Sequence, residues 1–240
     1  EWMHAKTIPV RGKHLDELTP TDRLYIGISK AQTGPFVYFL LRFLTSEPNI
    51  SWRLEDLSLR TVLLPLPVIF IVFDLFYTSL HWALHIKSIY SYVHKHHHIQ
   101  KAPSRGNEDA INVHPIEFFL GEYNHLWSWF LCCRGLGLRV HALGALVYLI
   151  IGGVLAGWNH TRYDFAFSLF GLKIFDSKVH DVHHRIPQSN YGQYTVFWDF
   201  IFGTYRPYDP KDRVNPNAQL DPKTGTSIEY VKSQNLKDLQ

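Results

Sequence analysis

The sequence has few cysteines, few charged residues and little excess of either charge sign. Its two cysteines, Cys132 and Cys133, are adjacent in an apolar stretch, which excludes a disulfide framework and argues against a thiolate metal site. Only 19% of residues are charged and 46% are hydrophobic, which excludes disordered, collagen-like and coiled-coil proteins. The net charge of +3 is too small to suggest the basic face of a nucleic-acid-binding protein, so we expect no nucleic-acid partner.

Two hydrophobic runs are long enough to cross a membrane. Val62 to Leu80 contains a single charged residue, Asp74, and Ala142 to Trp158 contains none. A helix of either length approaches or matches the thickness of about 30 Å of hydrocarbon. The sequence therefore predicts an all-α integral membrane protein. A soluble helical protein with these runs in its core remains open, because the mean hydropathy of the whole chain is close to zero.

Two further apolar stretches are interrupted by charge. Phe36 to Leu44 contains Arg42 and predicts a buried or interfacial helix. Ile116 to Cys133 is amphipathic, and it is predicted to lie in the membrane interface or to form a hairpin with the run at 142–158. Five tryptophans near the ends of the apolar stretches are typical of an aromatic belt: Trp52, Trp82, Trp127, Trp129 and Trp158.

The composition divides the chain into three regions. Residues 1–61 form an N-terminal region that we expect to continue upstream of Glu1, residues 62–206 form the functional domain, and residues 207–240 form a polar C-terminal tail. A membrane hairpin brings the histidine-rich stretches to one face. Because most basic residues lie on that face, we expect it to be cytoplasmic.

Histidine is the most abundant residue type with metal-binding or proton-transfer chemistry that is concentrated in one region: thirteen of the fifteen histidines lie from His81 to His184. They form an HxxxH cluster followed by two HxxHH clusters, and only about 0.06 HxxHH copies are expected by chance. Histidines three and four apart share a helix face, so each cluster is predicted to direct its rings at one point. Together with His160, the predicted ligands are His81, His85, His94, His97, His98, His160, His180, His183 and His184.

So many imidazoles indicate two metal ions, because one ion takes about four to six ligands. The clusters contain no carboxylate ligands of the ferritin-like di-iron kind. An all-nitrogen shell suits iron, zinc or copper, and the spacing does not choose among them.

Five more residues are predicted to support the ligand rings: Asp74, Tyr77, His114, Asp164 and Asp181. The two later aspartates are expected to orient rings, whereas Asp74 and Tyr77 are expected to face inward within a turn or two of a cluster histidine. His114 precedes Pro115, so it either caps a helix or contributes to the site. His96 is predicted to point away from its neighbours.

The chain resembles the fatty acid hydroxylase and sterol desaturase superfamily over about Val62 to Arg206. The resemblance rests on the order of the three clusters and on several short motifs: Asp74 with Tyr77, His114-Pro115-Ile116-Glu117, Asn159-His160, Asn190-Tyr191-Gly192, Trp198-Asp199 and Phe202-Gly203-Thr204-Tyr205. It implies a helical membrane protein of the endoplasmic reticulum with a cytosolic di-iron centre, which uses dioxygen to hydroxylate or desaturate a lipid. The HxxxH spacing looks most like the sterol-acting branch, although Trp82 stands where members commonly have Arg.

Several functions remain as alternatives. An unactivated carbon–hydrogen bond requires a redox metal, and the resemblance implies that the cofactor is two iron ions. No Rossmann fingerprint or HPGG motif is present, which implies a separate reductase and electron carrier. A fatty-acyl or sphingolipid hydroxylase, a zinc hydrolase and a catalytically silent relative are the alternatives. A hydrolase is disfavoured because HExxH is absent, and a metal transporter because the histidines lie beyond the span ends.

Overall fold

The computed structural model describes residues 7–10 and 17–209. The predicted C-terminal tail therefore lies almost entirely outside the described residues, and the proposed domain boundaries stay a prediction. The helices are α1 Pro20–Ser46, α2 Leu59–Val62, α3 Pro65–Leu84, α4 Lys87–Tyr90, α5 Asn107–Ala110, α6 Pro115–Phe130, α7 Ala142–Asn159, α8 Ser177–Arg185 and α9 Phe197–Phe202. Short 3₁₀ turns occupy Leu54–Asp56 and His97–Ile99, and a π-helical turn at Leu131–Gly135 follows α6.

Four long helices, α1, α3, α6 and α7, form the body of the molecule. Helix α1 is three times longer than the apolar stretch at 36–44, because its first half begins with a capping box between Thr19 and Asp22 and continues as a mostly exposed helix. Proline occupies the first position of α3 and of α6, where its missing N–H costs nothing. The side chains of Ile69, Phe73, Trp129 and Tyr148 are almost fully buried where these helices meet.

Two helical runs have the length and composition of membrane spans, Leu59–Leu84 across α2 and α3, and Ala142–Asn159 in α7. Most of their residues are not buried within the protein, so side chains such as Leu146 and Ile150 are exposed to the surroundings. A core helix of a soluble protein would be largely covered. The mostly helical architecture with candidate spans is as predicted. Trp129 is not part of an aromatic belt, because its side chain is fully buried in the core.

The described part of the chain also contains four short strands, which the all-α prediction missed. Strands β1 Ile50–Ser51 and β2 Val140–His141 pair in parallel, and β3 Ala166–Leu169 and β4 Leu172–Asp176 form an antiparallel hairpin with a bulge. Phe170 and Gly171 connect the hairpin, both with positive φ, as a two-residue hairpin turn requires. Aromatic and β-branched residues on both sides of this turn, such as Phe167 and Ile174, favour strands locally.

The start of α6 and the turn after it lie at opposite ends of the helical body. Glu117, in the first turn of α6, contacts His94, whereas Arg134 beyond its C-terminus pairs with Glu47 at the end of α1. Helix α3 runs antiparallel to α6, since His125 of α6 stacks on Phe73 while the C-terminus of α3 lies near the start of α6. The histidines of the three clusters therefore lie at one end of the bundle.

Candidate metal centre

All nine predicted ligands meet at this end, in two adjoining groups. Within each group, one nitrogen from every ring lies within 4.8 Å of the others. The five-histidine group consists of His81, His85, His94, His98 and His183, and the four-histidine group of His97, His160, His180 and His184. The rings of His98 and His184, one from each group, have centroids 5.0 Å apart. Histidines separated by about one hundred residues in sequence thus share a site.

Several elements position these rings. His81 lies in the last turn of α3 and His85 at its C-cap, while α8 carries the third cluster on one face. His160 is the residue that ends α7. The middle cluster is not on an α-helix, contrary to the prediction, because α4 ends at Tyr90 and His94 to His98 follow in consecutive turns and a 3₁₀ turn. These turns still present His94 and His98 to the same point.

Four of the ligand rings donate their outer nitrogen to a backbone carbonyl. Nδ1 of His81 donates to the carbonyl of Tyr191 at 2.8 Å, and Nδ1 of His183 donates to the carbonyl of Ser189 at 2.7 Å. Nδ1 of His184 and of His160 likewise donate to backbone carbonyls, at 2.9 Å each. Because a carbonyl only accepts, each of these Nδ1 atoms carries the proton.

The inner nitrogens of these rings consequently carry lone pairs, and several of them face the inner nitrogen of another ring. A neutral imidazole protonated at Nδ1 has a lone pair at Nε2. Nε2 of His81 lies 3.0 Å from Nε2 of His94, whose own Nδ1 faces a carboxylate oxygen at 2.7 Å. In the other group, Nε2 of His160 and Nε2 of His184 each carry a lone pair, and each lies 3.2 Å from Nε2 of His180. Facing lone pairs at this spacing repel each other unless a cation lies between them, so the donor set fits metal ions.

Burial keeps these rings in the form that binds metal. Desolvation is the main cause that lowers the pKa of His98, His183 and His184 well below its usual value, and it lowers the pKa of His94 to about 3. The neighbouring rings lower the pKa of the first three further. The rings are therefore neutral near pH 7, which is the protonation state of a metal-binding imidazole.

Glu117 supports a ligand ring, a role that the sequence analysis did not predict although it named the residue in a motif. Its Oε1 accepts from Nδ1 of His94 at 2.7 Å, and its side chain is almost fully buried. This carboxylate fixes the tautomer and the orientation of the His94 ring, as the backbone carbonyls do for other ligand rings. The available signal was a lone acidic residue in the first turn of an apolar helix, directly after His114 and Pro115.

The aspartates predicted to orient ligand rings contact basic residues instead. Asp164 accepts from Lys178 at 3.0 Å. Asp181 pairs with Arg162 at 2.5 Å and with Arg185 at 3.0 Å, and so fixes α8 to the segment after α7. The prediction was wrong for both aspartates. Helix α8 turns Asp181 away from its histidine face, towards these arginines, and Asp164 faces Lys178 of the same helix.

His114 and His96 also lie outside the two groups. His114 caps α6 by accepting from the N–H of Ile116 at 3.3 Å, which was one of its two predicted roles. Nε2 of His96 lies 3.0 Å from a carboxylate oxygen of Asp22 in α1 and points away from the metal ligands, as predicted. It is half-buried beneath α1 rather than on the open surface.

Asp74 faces the protein interior as predicted, but its partners are backbone amides rather than a histidine. Its carboxylate accepts from the N–H groups of Gln193, Tyr194 and Thr195, at 2.5 to 3.3 Å. It thereby ties α3 to the loop that follows Tyr191, whose carbonyl holds His81. Tyr77 places its ring edge-on to His81, with centroids 5.5 Å apart, and no hydrogen bond joins the two within the described residues.

The loop that carries Tyr191 is closely packed at Gly192. A Cβ added there would lie 2.3 Å from the carbonyl oxygen of Thr195 and 2.9 Å from Oδ2 of Asp199. The same Asp199 accepts from the N–H groups of Tyr191 and Gly192. Only glycine fits this position without moving the backbone.

We expect Gly192→Ala to lower the free energy of unfolding by about 2 kcal/mol or more, because the loop must open to accommodate the methyl group. Thermal unfolding of the purified protein in detergent measures the effect. Gly34→Ala is the matched control, since nothing lies within 4 Å of a Cβ at that position on α1. Equal unfolding temperatures for the two variants would contradict the packing described here.

Comparison with known proteins decides the family. The model of the fatty acid hydroxylase family matches residues 66–204, which is more than half of the chain and includes all nine histidines. The chain belongs to the fatty acid hydroxylase family. The resemblance inferred from the histidine motifs is thereby confirmed. No solved structure gave a significant match.

The similar curated proteins of this family are named as sterol-modifying oxidases. Lathosterol oxidase of Rattus norvegicus is 30% identical over 55% of this chain and 42% of its own length. Methylsterol monooxygenase 1 of Gallus gallus is 30% identical over 56% of this chain and 43% of its own length. The Delta(7)-sterol-C5(6)-desaturase of Nicotiana tabacum is 25% identical over 64% and 54%. The chain spans about half the length of these relatives.

Proposed function

We propose that this fatty acid hydroxylase family member is a membrane-bound oxidoreductase that uses dioxygen to hydroxylate or desaturate a sterol or related lipid. The observation that supports it most is the meeting of nine imidazoles, eight of them buried, at the end of a helical bundle. The names of the relatives support a sterol in preference to a fatty acyl chain. We propose residues 62–206 as the catalytic domain.

The nine histidines would hold two iron ions, one in each group. Iron bound there would supply the oxidising power that side chains lack for attack on an unactivated carbon–hydrogen bond. The protein's own residues orient the rings: Glu117 fixes His94, and the carbonyls of Tyr191 and Ser189 fix His81 and His183. Burial of the rings excludes bulk water from the site.

The membrane arrangement follows from the positions of the spans and of the basic residues. The candidate spans end at Leu84 and Asn159, and every proposed ligand except His81, in the last turn of α3, follows one of these ends, so the centre would lie at the edge of the lipid. The basic residues on the histidine side outnumber those of the opposite turn, which has Arg134 and Arg139. We therefore propose a cytoplasmic active site in the endoplasmic reticulum membrane, with electrons from a separate carrier and reductase.

Metal analysis and a turnover assay test this function together. We expect purified protein from iron-replete cells to contain about two iron ions per chain. With a reductase, an electron carrier and dioxygen, we expect it to oxidise lathosterol, measured by mass spectrometry of the extracted lipid. Zinc alone, with no dioxygen-dependent product, would contradict the proposal. Oxidation of acyl lipids but not of sterols would move the substrate to the fatty-acyl alternative.

A further inference from the structure

A cavity of about 210 Å³ lies within the helical bundle next to the five-histidine group. Its walls come from α1, α3, α6 and α7, from α5 with the segment that follows it, and from the loop after Tyr191, and His81 forms part of its lining. If the chain oxidises a lipid as proposed above, this is where a part of that lipid can lie beside the metal ligands.

The cavity follows α3 away from the histidines. Leu84, His81, Tyr77 and Phe73 of α3 line it, each about one turn from the next. Most of this wall is apolar or aromatic. The cavity therefore extends from the proposed metal site into the part of the bundle formed by the candidate spans.

Helix α6, which runs antiparallel to α3, forms the facing wall of the cavity. Gly121 faces Tyr77, since a Cβ at Gly121 would lie 3.8 Å from the tyrosine ring, and His125 stacks on Phe73 with centroids 4.2 Å apart. At 1.5 Å per residue, the lining from Glu117 to His125 extends about 12 Å. One end of this wall supports a ligand ring, and the other reaches the aromatic core.

Glu122 is a carboxyl group in this wall that makes no hydrogen bond or ion pair with the described residues. It is half-buried and lines the cavity among Phe36, Phe73 and Phe118. The other ionisable groups of α6 in the wall are engaged, since Glu117 holds His94 and Nδ1 of His125 lies 2.9 Å from the hydroxyl of Tyr148. A carboxyl group in an apolar cavity costs free energy unless a polar group meets it.

We propose that Glu122 binds the hydroxyl group of the lipid substrate and so presents a nearby ring carbon to the metal site. Glu122 follows Glu117 by five residues, about 7.5 Å along the helix axis. Glu122 and the ligand His81 line the same short cavity, which suits a molecule whose hydroxyl and reacting carbon lie in one ring system, as in a sterol. A fatty acid would instead place its own carboxylate beside that of Glu122, which is unfavourable.

Equilibrium binding of two sterols to the purified, iron-loaded protein tests this contact. The probes are lathosterol and its 3-deoxy analogue, which lacks the hydroxyl group. We expect wild-type protein to bind lathosterol about tenfold more tightly or better, the usual effect of a hydrogen bond to a charged group. Glu122→Leu should lose this preference, whereas Glu122→Gln, whose amide oxygen can still accept a hydrogen bond from the hydroxyl group, should keep part of it.

The matched control is Glu108→Gln, an exposed carboxylate on α5 that does not line the cavity. It should bind both sterols as the wild type does. Equal affinity of the wild-type protein for the two sterols, or a preference that survives in Glu122→Leu, would overturn the role of Glu122. The comparison of the two sterols on wild-type protein tests the contact even if the Glu122 variants do not fold.

The binding readout separates this inference from the proposed function. A protein that prefers lathosterol through Glu122 but oxidises no lipid would refute the oxidase and leave the hydroxyl contact standing. A protein that oxidises lathosterol and its 3-deoxy analogue with equal KM and equal affinity would refute the contact and leave the oxidase standing.

Discussion

Replacing His183 with Ala is expected to reduce dioxygen-dependent turnover to background and to remove about one iron ion per chain. Nε2 of His183 lies 3.1 Å from Nε2 of His98 in the middle of the five-histidine group, and its Nδ1 is held by the carbonyl of Ser189. Alanine removes a buried nitrogen donor that nothing nearby replaces. Metal analysis and product formation by the same preparation measure both effects.

The control for this substitution is His96→Gln. His96 lies in the same stretch as three ligands, but its ring contacts Asp22 and Asn112 instead of the site. We expect this variant to keep its iron and its turnover. Full activity in His183→Ala would show that the five-histidine group takes no part in the reaction.

Asp74→Asn is expected to lower the free energy of unfolding by about 3 kcal/mol, since a buried carboxylate is replaced by a group with half its acceptor capacity. Both oxygens of Asp74 accept backbone N–H groups from the loop at 193–195, and the side chain is fully buried. The amide nitrogen of asparagine would face these donors. Thermal unfolding in detergent measures the loss, roughly 10 °C for a domain of this size.

Asp164→Asn is the matched control, because this carboxylate pairs with Lys178 where both side chains are partly exposed to solvent. Such a pair contributes about 1 kcal/mol or less. If the two variants unfold at the same temperature, the loop at 193–195 does not depend on Asp74. A loss of iron in Asp74→Asn, without a loss of fold, would show that this loop acts on His81 through the carbonyl of Tyr191.

The sequence was most informative where the chemistry depends on local spacing. Histidines three or four residues apart identify a ligand cluster whether the backbone is helical, as in α8, or formed by successive turns, as at His94 to His98. The membrane runs were equally visible, because length and lack of charge are properties of a contiguous segment. The hairpin at 166–176 was missed, since long apolar runs drew the prediction towards helices.

The aspartate contacts were less predictable because their partners come from distant segments. Asp181 neighbours two metal-ligand candidates in sequence, yet α8 directs it to Arg162 and Arg185. Asp74 was expected near a histidine of its own helix, and it instead meets amides about 120 residues away. A carboxylate accepts from any donor that the fold brings close, so residue type alone does not name its partner.

The sequence by itself determined the family, the nine candidate ligand residues and the two apolar runs. Each of these depends on which residue types follow one another within a short stretch of the chain. Only the tertiary structure decided how the nine rings divide into groups of five and four, which nitrogen of each ring faces inward, and that Glu117 supports His94. Those features depend on acceptors such as the carbonyl of Tyr191, 110 residues from His81, and no local pattern specifies which backbone carbonyl will lie beside a ring.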